Sequence, residues 1–144
     1  MSDDFDARVA DLNAQREQIA LRRQQRADEE ERVQKLAEAE RALRDEEAVD
    51  AAEQEHGAKK IAVVQTDLGV VIVKRPHVAT FRKFQDKGST DSESLEKLVR
   101  PCLVYPKLPE FELICSELPA TLLRVANAVT MLAGVRTEEL AGKS

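Results

Sequence analysis

The segment 98–134, LVRPCLVYPKLPEFELICSELPATLLRVANAVTMLAG, is the most apolar part of this 144-residue chain and holds four of its five prolines. A proline inside a helix removes a backbone hydrogen bond and clashes with the preceding turn, so this segment favours short helices. Apolar residues make up 42% of the chain, enough for a core if they are concentrated. They are concentrated here, which predicts a compact helical bundle.

The residues before the bundle predict a β-hairpin. Two β-branched runs, IAVVQT at 61–66 and VVIVK at 70–74, are typical of strands. The Asp67-Leu68-Gly69 sequence between them is typical of a tight turn, with glycine at the position that needs a positive φ. Pro76 then ends the second strand, because proline cannot donate to a sheet ladder.

Apolar spacing after the hairpin predicts four short helices, at about 77–86, 92–99, 108–117 and 119–133. Asp91 or Ser92 is expected to cap the second of these helices. Gly134 is expected to end the fourth, because glycine readily adopts the left-handed conformation found just after a helix. The fourth helix carries a row of apolar side chains on one face: Leu122, Val125, Ala126, Val129 and Leu132.

Residues 4–55 contain neither glycine nor proline and are rich in strong helix formers, which predicts one helix about 80 Å long. Some of its apolar residues follow coiled-coil spacing, in two stripes that do not share a register: Phe5, Val9, Leu12 and Ile19, then Val33, Leu36 and Leu43. Three alternatives remain open for this segment: a weak or interrupted coiled coil, a single charged helix, or a partly disordered arm.

The negative charge of the chain belongs to its front part. Residues 1–60 contain 17 acidic and 11 basic residues, whereas 61–144 contain 10 and 11. Without a basic stripe, we expect no nucleic-acid binding. The small cluster of Arg22, Arg23 and Arg26 is followed at once by the acidic run 28–31, and we interpret the two as a solvated, charge-alternating helix face rather than a phosphate site.

Neither a membrane segment nor catalytic chemistry is expected. No apolar run reaches the 18 or so residues of a membrane span, and the acidic start is not typical of a signal peptide. A soluble, cytosolic protein is therefore expected. His56 and His77 lack metal-ligand spacing, and no nucleophile motif or phosphate loop occurs, so we expect no metal, no cofactor and no enzyme activity. Cys102 and Cys115 are interpreted as buried small apolar residues.

Three stretches occur as an ordered set: VIVKRP at 71–76, LVRPCLVYP at 98–106 and LPATLLRVANAVTMLAGV at 118–135. With the hairpin and the short helices between them, this set resembles the tail assembly chaperones of long-tailed bacteriophages, over about residues 60–135. The resemblance implies a non-virion helper protein in the host cell cytoplasm, with no catalytic residues. Such proteins bind and solubilise the tail tape measure protein and help to recruit tail tube protein subunits around it.

The segment 1–56 is not required by the resemblance, and it offers self-association through residues 4–55 or a surface for a partner helix. We predict that residues 57–144 fold without it. Two other functions remain open. One is a structural or scaffolding coiled-coil protein that is retained in the phage particle. The other is a bacterial adaptor that shares only the bundle.

A chaperone for a tape measure protein needs a groove that takes an amphipathic helix reversibly. Seven residues are candidates for lining it: Tyr105, Phe111, Leu122, Val125, Val129, Met131 and Leu132. The alternative is that these residues form the core of the bundle itself. The sequence therefore predicts an α+β protein, mostly α, with a charged helical arm at 1–56 and a hairpin plus helical bundle at 57–144.

Overall fold

The structure is a computed structural model that describes residues 2–134. The chain divides into two compact units, Met1–Arg41 and Ala42–Ser144. One helix, α1 (Ser2–His56), contributes to both. In the first unit the side chains of residues 3–40 are all exposed. The long N-terminal helix predicted from the sequence is confirmed.

The described part of the second unit adds three strands and four helices to the end of α1. They are β1 (Ile61–Thr66), β2 (Gly69–Lys74), α2 (Val78–Lys87), α3 (Ser92–Val99), β3 (Leu103–Tyr105), α4 (Leu108–Glu117) and α5 (Thr121–Leu132). Short 3₁₀ turns at Ala58–Lys60 and Arg100–Cys102 precede β1 and β3. The mostly helical α+β fold is therefore confirmed.

Two predicted helix boundaries are confirmed by their backbone geometry. The Asp91 carboxylate accepts a hydrogen bond of 2.9 Å from the Ser94 amide, so Asp91 rather than Ser92 caps α3. Gly134 follows α5 with a φ of 100°, and its amide donates to the Met131 carbonyl at 3.0 Å. Because a φ in this range favours glycine, the residue type fixes where the helix ends.

The three strands form one antiparallel sheet in the order β1-β2-β3. Thr66 pairs with Gly69 at the predicted turn, where Gly69 has a φ of 126°. On the other side of β2, Tyr105 of β3 pairs with Ile72. Strand β3 was not predicted from the sequence; it is only three residues long and ends before Pro106.

Both faces of β2 are covered, which places this strand at the centre of the second unit. Val71 and Val73 belong to a core cluster shared with α3, α4 and α5. Val70 and Ile72 point to the opposite face, where they form a second cluster with Ala52 of α1. The sheet therefore lies between the helical bundle and the last turns of α1, and the end of this charged helix is part of the hydrophobic core. This packing argues against the expectation that residues 57–144 fold without the segment 1–56, because Ala52 covers one face of β2.

Candidate binding groove

The seven residues predicted to contact a partner lie in three environments. Phe111, Val125 and Val129 are buried, and the last two have no exposed surface. Tyr105, Leu122 and Leu132 are half-buried. Met131 is 56% exposed. In this structure Val125 and Val129 are core residues, so their side chains are not available on the surface for contact with a partner.

A groove of about 460 Å³ lies between α3, α4 and the start of α5. Apolar atoms of Phe111, Cys115 and Leu122 line it, and Leu108 stands at the first turn of α4. Of the seven predicted residues, the groove brings together only Phe111 and Leu122. The other five do not line it: Tyr105, Val125, Val129, Met131 and Leu132.

Charged side chains form the rim of this groove. Arg100, in the turn after α3, lies 3.6 Å from the Glu96 carboxylate and 3.3 Å from the Glu112 carboxylate on α4. About half of each side chain is exposed, so each ion pair contributes only about 0.2–1 kcal/mol to stability. Pairs this weak can rearrange when another molecule approaches.

The Cys115 thiol adds an uncharged surface to the groove. Burial raises its pKa above the ordinary value, and the carboxylates of Glu96 and Glu112 raise it further. The thiol therefore keeps its proton at neutral pH, where a reactive thiolate would need a lowered pKa. Burial also raises the pKa of Cys102, which lies in the core. The prediction that the cysteines are buried is confirmed for Cys102, whereas Cys115 is half-buried.

A buried polar cluster lies on the other face of the sheet. One carboxylate oxygen of Asp45 in α1 accepts a hydrogen bond of 3.2 Å from the Val70 amide, and the other accepts one of 3.0 Å from the Tyr105 hydroxyl. Asp45 is only 8% exposed. Tyr105, predicted as a partner-binding residue, is thus hydrogen-bonded within the fold. Sequence reasoning missed Asp45, although it lies seven residues before Ala52 and so on the same face of α1.

A smaller depression of about 310 Å³ lies where the hairpin turn meets the start of α5. Arg124 of α5 borders it and donates a hydrogen bond of 3.0 Å to the Gln65 carbonyl of β1. In the register of the hairpin, Gln65 belongs to the residues whose backbone groups face away from β2. Arg124 therefore bonds to the outer edge of the sheet.

Within residues 2–134, the acidic, histidine and cysteine side chains form no group of three or more that could hold a metal ion. None of the described helices is both long enough and apolar enough to cross a membrane. Comparison of the chain with protein-family models, with curated proteins and with solved structures found no match.

Proposed function

We propose that this protein is a tail assembly chaperone of a long-tailed bacteriophage. It binds and solubilises the tape measure protein and helps to recruit tail tube subunits, in the host cytoplasm and without remaining in the mature virion. The observation that carries the proposal is the groove between α3 and α4, which combines apolar walls with a weakly paired charged rim. The resemblance of residues 60–135 to this family supplies the identity of the cargo.

The groove suits an amphipathic helix. Such a helix presents apolar side chains at spacings of three and four residues, and Leu108, Phe111 and Cys115 line the groove with the same spacing. Burial of one aliphatic side chain contributes about 1.5–3 kcal/mol. Two or three such side chains offset only part of the entropy lost on association, so binding at one groove is weak. Weak binding fits a helper that must release its cargo.

The rim favours a basic residue on the cargo. Glu96 and Glu112 share the single positive charge of Arg100, which leaves the rim with a net negative charge. A lysine or arginine beside the apolar face of the cargo helix can replace Arg100 as the partner of one carboxylate. The cargo helix is therefore expected to carry a basic residue next to its apolar anchors.

Co-expression with the large, helix-rich protein encoded next downstream tests this function. Two variants obstruct the groove: Leu108→Asp places a charge at its wall, and Ser116→Arg fills it. Leu113→Asp is the matched control, because Leu113 also lies on α4 but is 62% exposed and does not line the groove. The large protein should stay soluble and co-purify with the wild type and with the control. With both groove variants it should become insoluble and no longer co-purify.

Circular dichroism should show that all three variants remain folded, because each change lies at an exposed or partly exposed position. If the large protein is equally soluble with the groove variants, the groove is not its binding site. If it is insoluble even with the wild type, the chaperone function is refuted.

A second function is a structural or scaffolding protein that is retained in the particle. The observation that favours it is the first unit, in which large apolar residues are exposed along one helix: Phe5, Val9, Leu12, Ile19, Leu21, Val33 and Leu36. Mass spectrometry of purified phage particles distinguishes the two functions. A scaffold retained in the particle is found in stoichiometric amounts, whereas a chaperone is absent.

A further inference from the structure

Helix α2 is held to the second unit by a small apolar contact. None of its residues is buried, whereas α3, α4 and α5 each contain at least two buried residues. Its contact face includes Phe81 and Phe84, which are half-buried and pack against the core cluster. So small an apolar contact contributes little to stability, and the docked helix therefore depends on the hydrogen bonds at its two ends.

The two ends of α2 are capped in different ways. At the C-terminal end Gly88 has a φ of 63°, and its amide donates a hydrogen bond of 3.1 Å to the Gln85 carbonyl. At the N-terminal end the Ala79 amide donates a hydrogen bond of 3.2 Å to Nδ1 of His77. Side-chain oxygens of Ser, Thr, Asp and Asn are the usual acceptors at this position, so α2 uses an imidazole nitrogen in their place.

The His77 cap requires a neutral imidazole. In the neutral ring one nitrogen accepts a hydrogen bond, whereas both nitrogens of the protonated ring are donors. A protonated His77 cannot accept the bond from the Ala79 amide, and its positive charge lies at the positive end of the helix dipole. Both effects favour the open helix. Histidine is also the side chain that ordinarily changes charge between about pH 5 and 8.

No acidic neighbour compensates for this added charge. Among the described residues His77 forms no ion pair. The acids of α3, on which α2 packs, are already paired: Glu93 with Lys97 at 3.1 Å, and Glu96 with Arg100 at 3.6 Å. The last turn of α5 contains no charged residue. The other charged side chains on the adjoining segments include two acids, in the last turn of α2 and beyond it: Lys59, Lys60, Lys74, Arg75, Arg82, Lys83, Asp86, Lys87 and Asp91.

We propose that α2 is a pH-controlled element, docked against α3 at neutral pH and opened more often at mildly acidic pH, when His77 takes up a proton. The loss of the cap and the like charge at the helix end together raise the open population by about fivefold. Opening separates Phe81 and Phe84 from the core cluster and exposes an apolar surface. No residue of α2 lines the groove, so this inference goes beyond the function proposed above.

Hydrogen exchange of the amides of residues 81–87 in the full chain, measured by NMR at about pH 7.5 and about pH 5.5, tests the proposal. His77→Asn is the matched variant, because asparagine is a strong N-cap that does not titrate. Comparison of the two proteins at the same pH cancels the pH dependence of the exchange chemistry itself. Relative to His77→Asn, the wild type should lose about fivefold in protection between the higher and the lower pH. The amides of α5 should keep the same ratio at both.

Two results would overturn the proposal. One is a ratio between wild type and His77→Asn that stays the same at the two pH values. The other is an α2 that does not open separately, with its amides protected as strongly as those of α5, or one that is unprotected already at the higher pH. His56→Gln removes the other histidine of the chain and should leave the pH dependence unchanged. If His56→Gln abolishes the dependence, His56 is the titrating group and the proposal is wrong.

Discussion

The Asp45 carboxylate accepts a hydrogen bond of 3.0 Å from the Tyr105 hydroxyl, across 60 positions of the chain. The same carboxylate accepts a bond from the Val70 amide at the point where β3 has ended and no longer pairs with β2. One side chain of α1 thus joins the central strand and the end of β3. The charged helix is fixed to the sheet by this polar contact as well as by apolar burial.

Asp45→Ala should lower the free energy of unfolding by about 1–3 kcal/mol, because the buried Val70 amide and the Tyr105 hydroxyl lose their acceptor. Urea denaturation measures this change. Asp50→Ala is the matched control on the same helix, since Asp50 is exposed, and its effect should stay within about 0.5 kcal/mol. Equal effects of the two substitutions would show that the buried hydrogen bonds of Asp45 do not contribute to the free energy of unfolding.

Stability should fall at high pH through Tyr105. Burial raises the pKa of this phenol above its ordinary value of 10.0, and the hydrogen bond to Asp45 raises it further. The folded protein therefore keeps a proton that the unfolded chain releases. The stabilisation is complete below about pH 10 and is lost as the pH rises through the folded-state pKa.

Comparison with Tyr105→Phe isolates this titration, because the other titrating groups are common to both proteins. The difference in the free energy of unfolding between the wild type and Tyr105→Phe should shrink above about pH 10. Urea denaturation at a series of pH values measures it. If the difference stays constant above about pH 10, titration of Tyr105 does not lower the stability.

Truncation should give different results on the two sides of the boundary between the units. Removal of residues 1–41 leaves Asp45 and Ala52 in place and should preserve cooperative unfolding of the remainder. Removal of residues 1–56 uncovers Val70 and Ile72 and should abolish the cooperative transition or lower its midpoint steeply. Calorimetry measures both. If the two truncated chains unfold alike, the end of α1 does not stabilise the second unit.

Two substitutions on α5 should differ in their effect on stability, because one lies in the core and the other on the surface. Val125→Asp places a carboxylate where the side chain has no exposed surface, so this variant should not fold. Met131→Asp lies on the same helix at an exposed position and should change stability by less than about 0.5 kcal/mol. Thermal unfolding followed by circular dichroism measures both. A folded Val125→Asp variant would show that this side chain is not in the core.

Much of the fold could be predicted because its signals are local. The hairpin follows from two β-branched runs and from Gly69, and the position of α3 follows from the side chain of Asp91. These features depend on neighbours within a few residues. The strand β3 has no comparable signal, because three residues carry no periodicity and their pairing with β2 depends on tertiary contacts.

The groove and the buried acid were harder to predict, for different reasons. A row of apolar residues on α5 shows that one face is buried but not what covers it, so Val125 and Val129 could belong to a core or to a groove. Only the packing of three helices shows that Phe111 and Leu122 line the groove. Asp45 lies among many exposed acids of the same helix, and the residue type alone gives no sign that this one is buried.

The hydrogen bond from Arg124 to the Gln65 carbonyl lies at an exposed edge of the sheet, where we expect it to disfavour aggregation. β1 is an edge strand, and unpaired backbone groups on such an edge are a template on which a strand of another molecule can add. Arg124 occupies one of these carbonyls and places a charged group beside the edge. A strand that adds to this edge would have to displace the Arg124 guanidinium and bury its charge. We therefore expect a single arginine to oppose edge-to-edge pairing of neighbouring copies at high concentration.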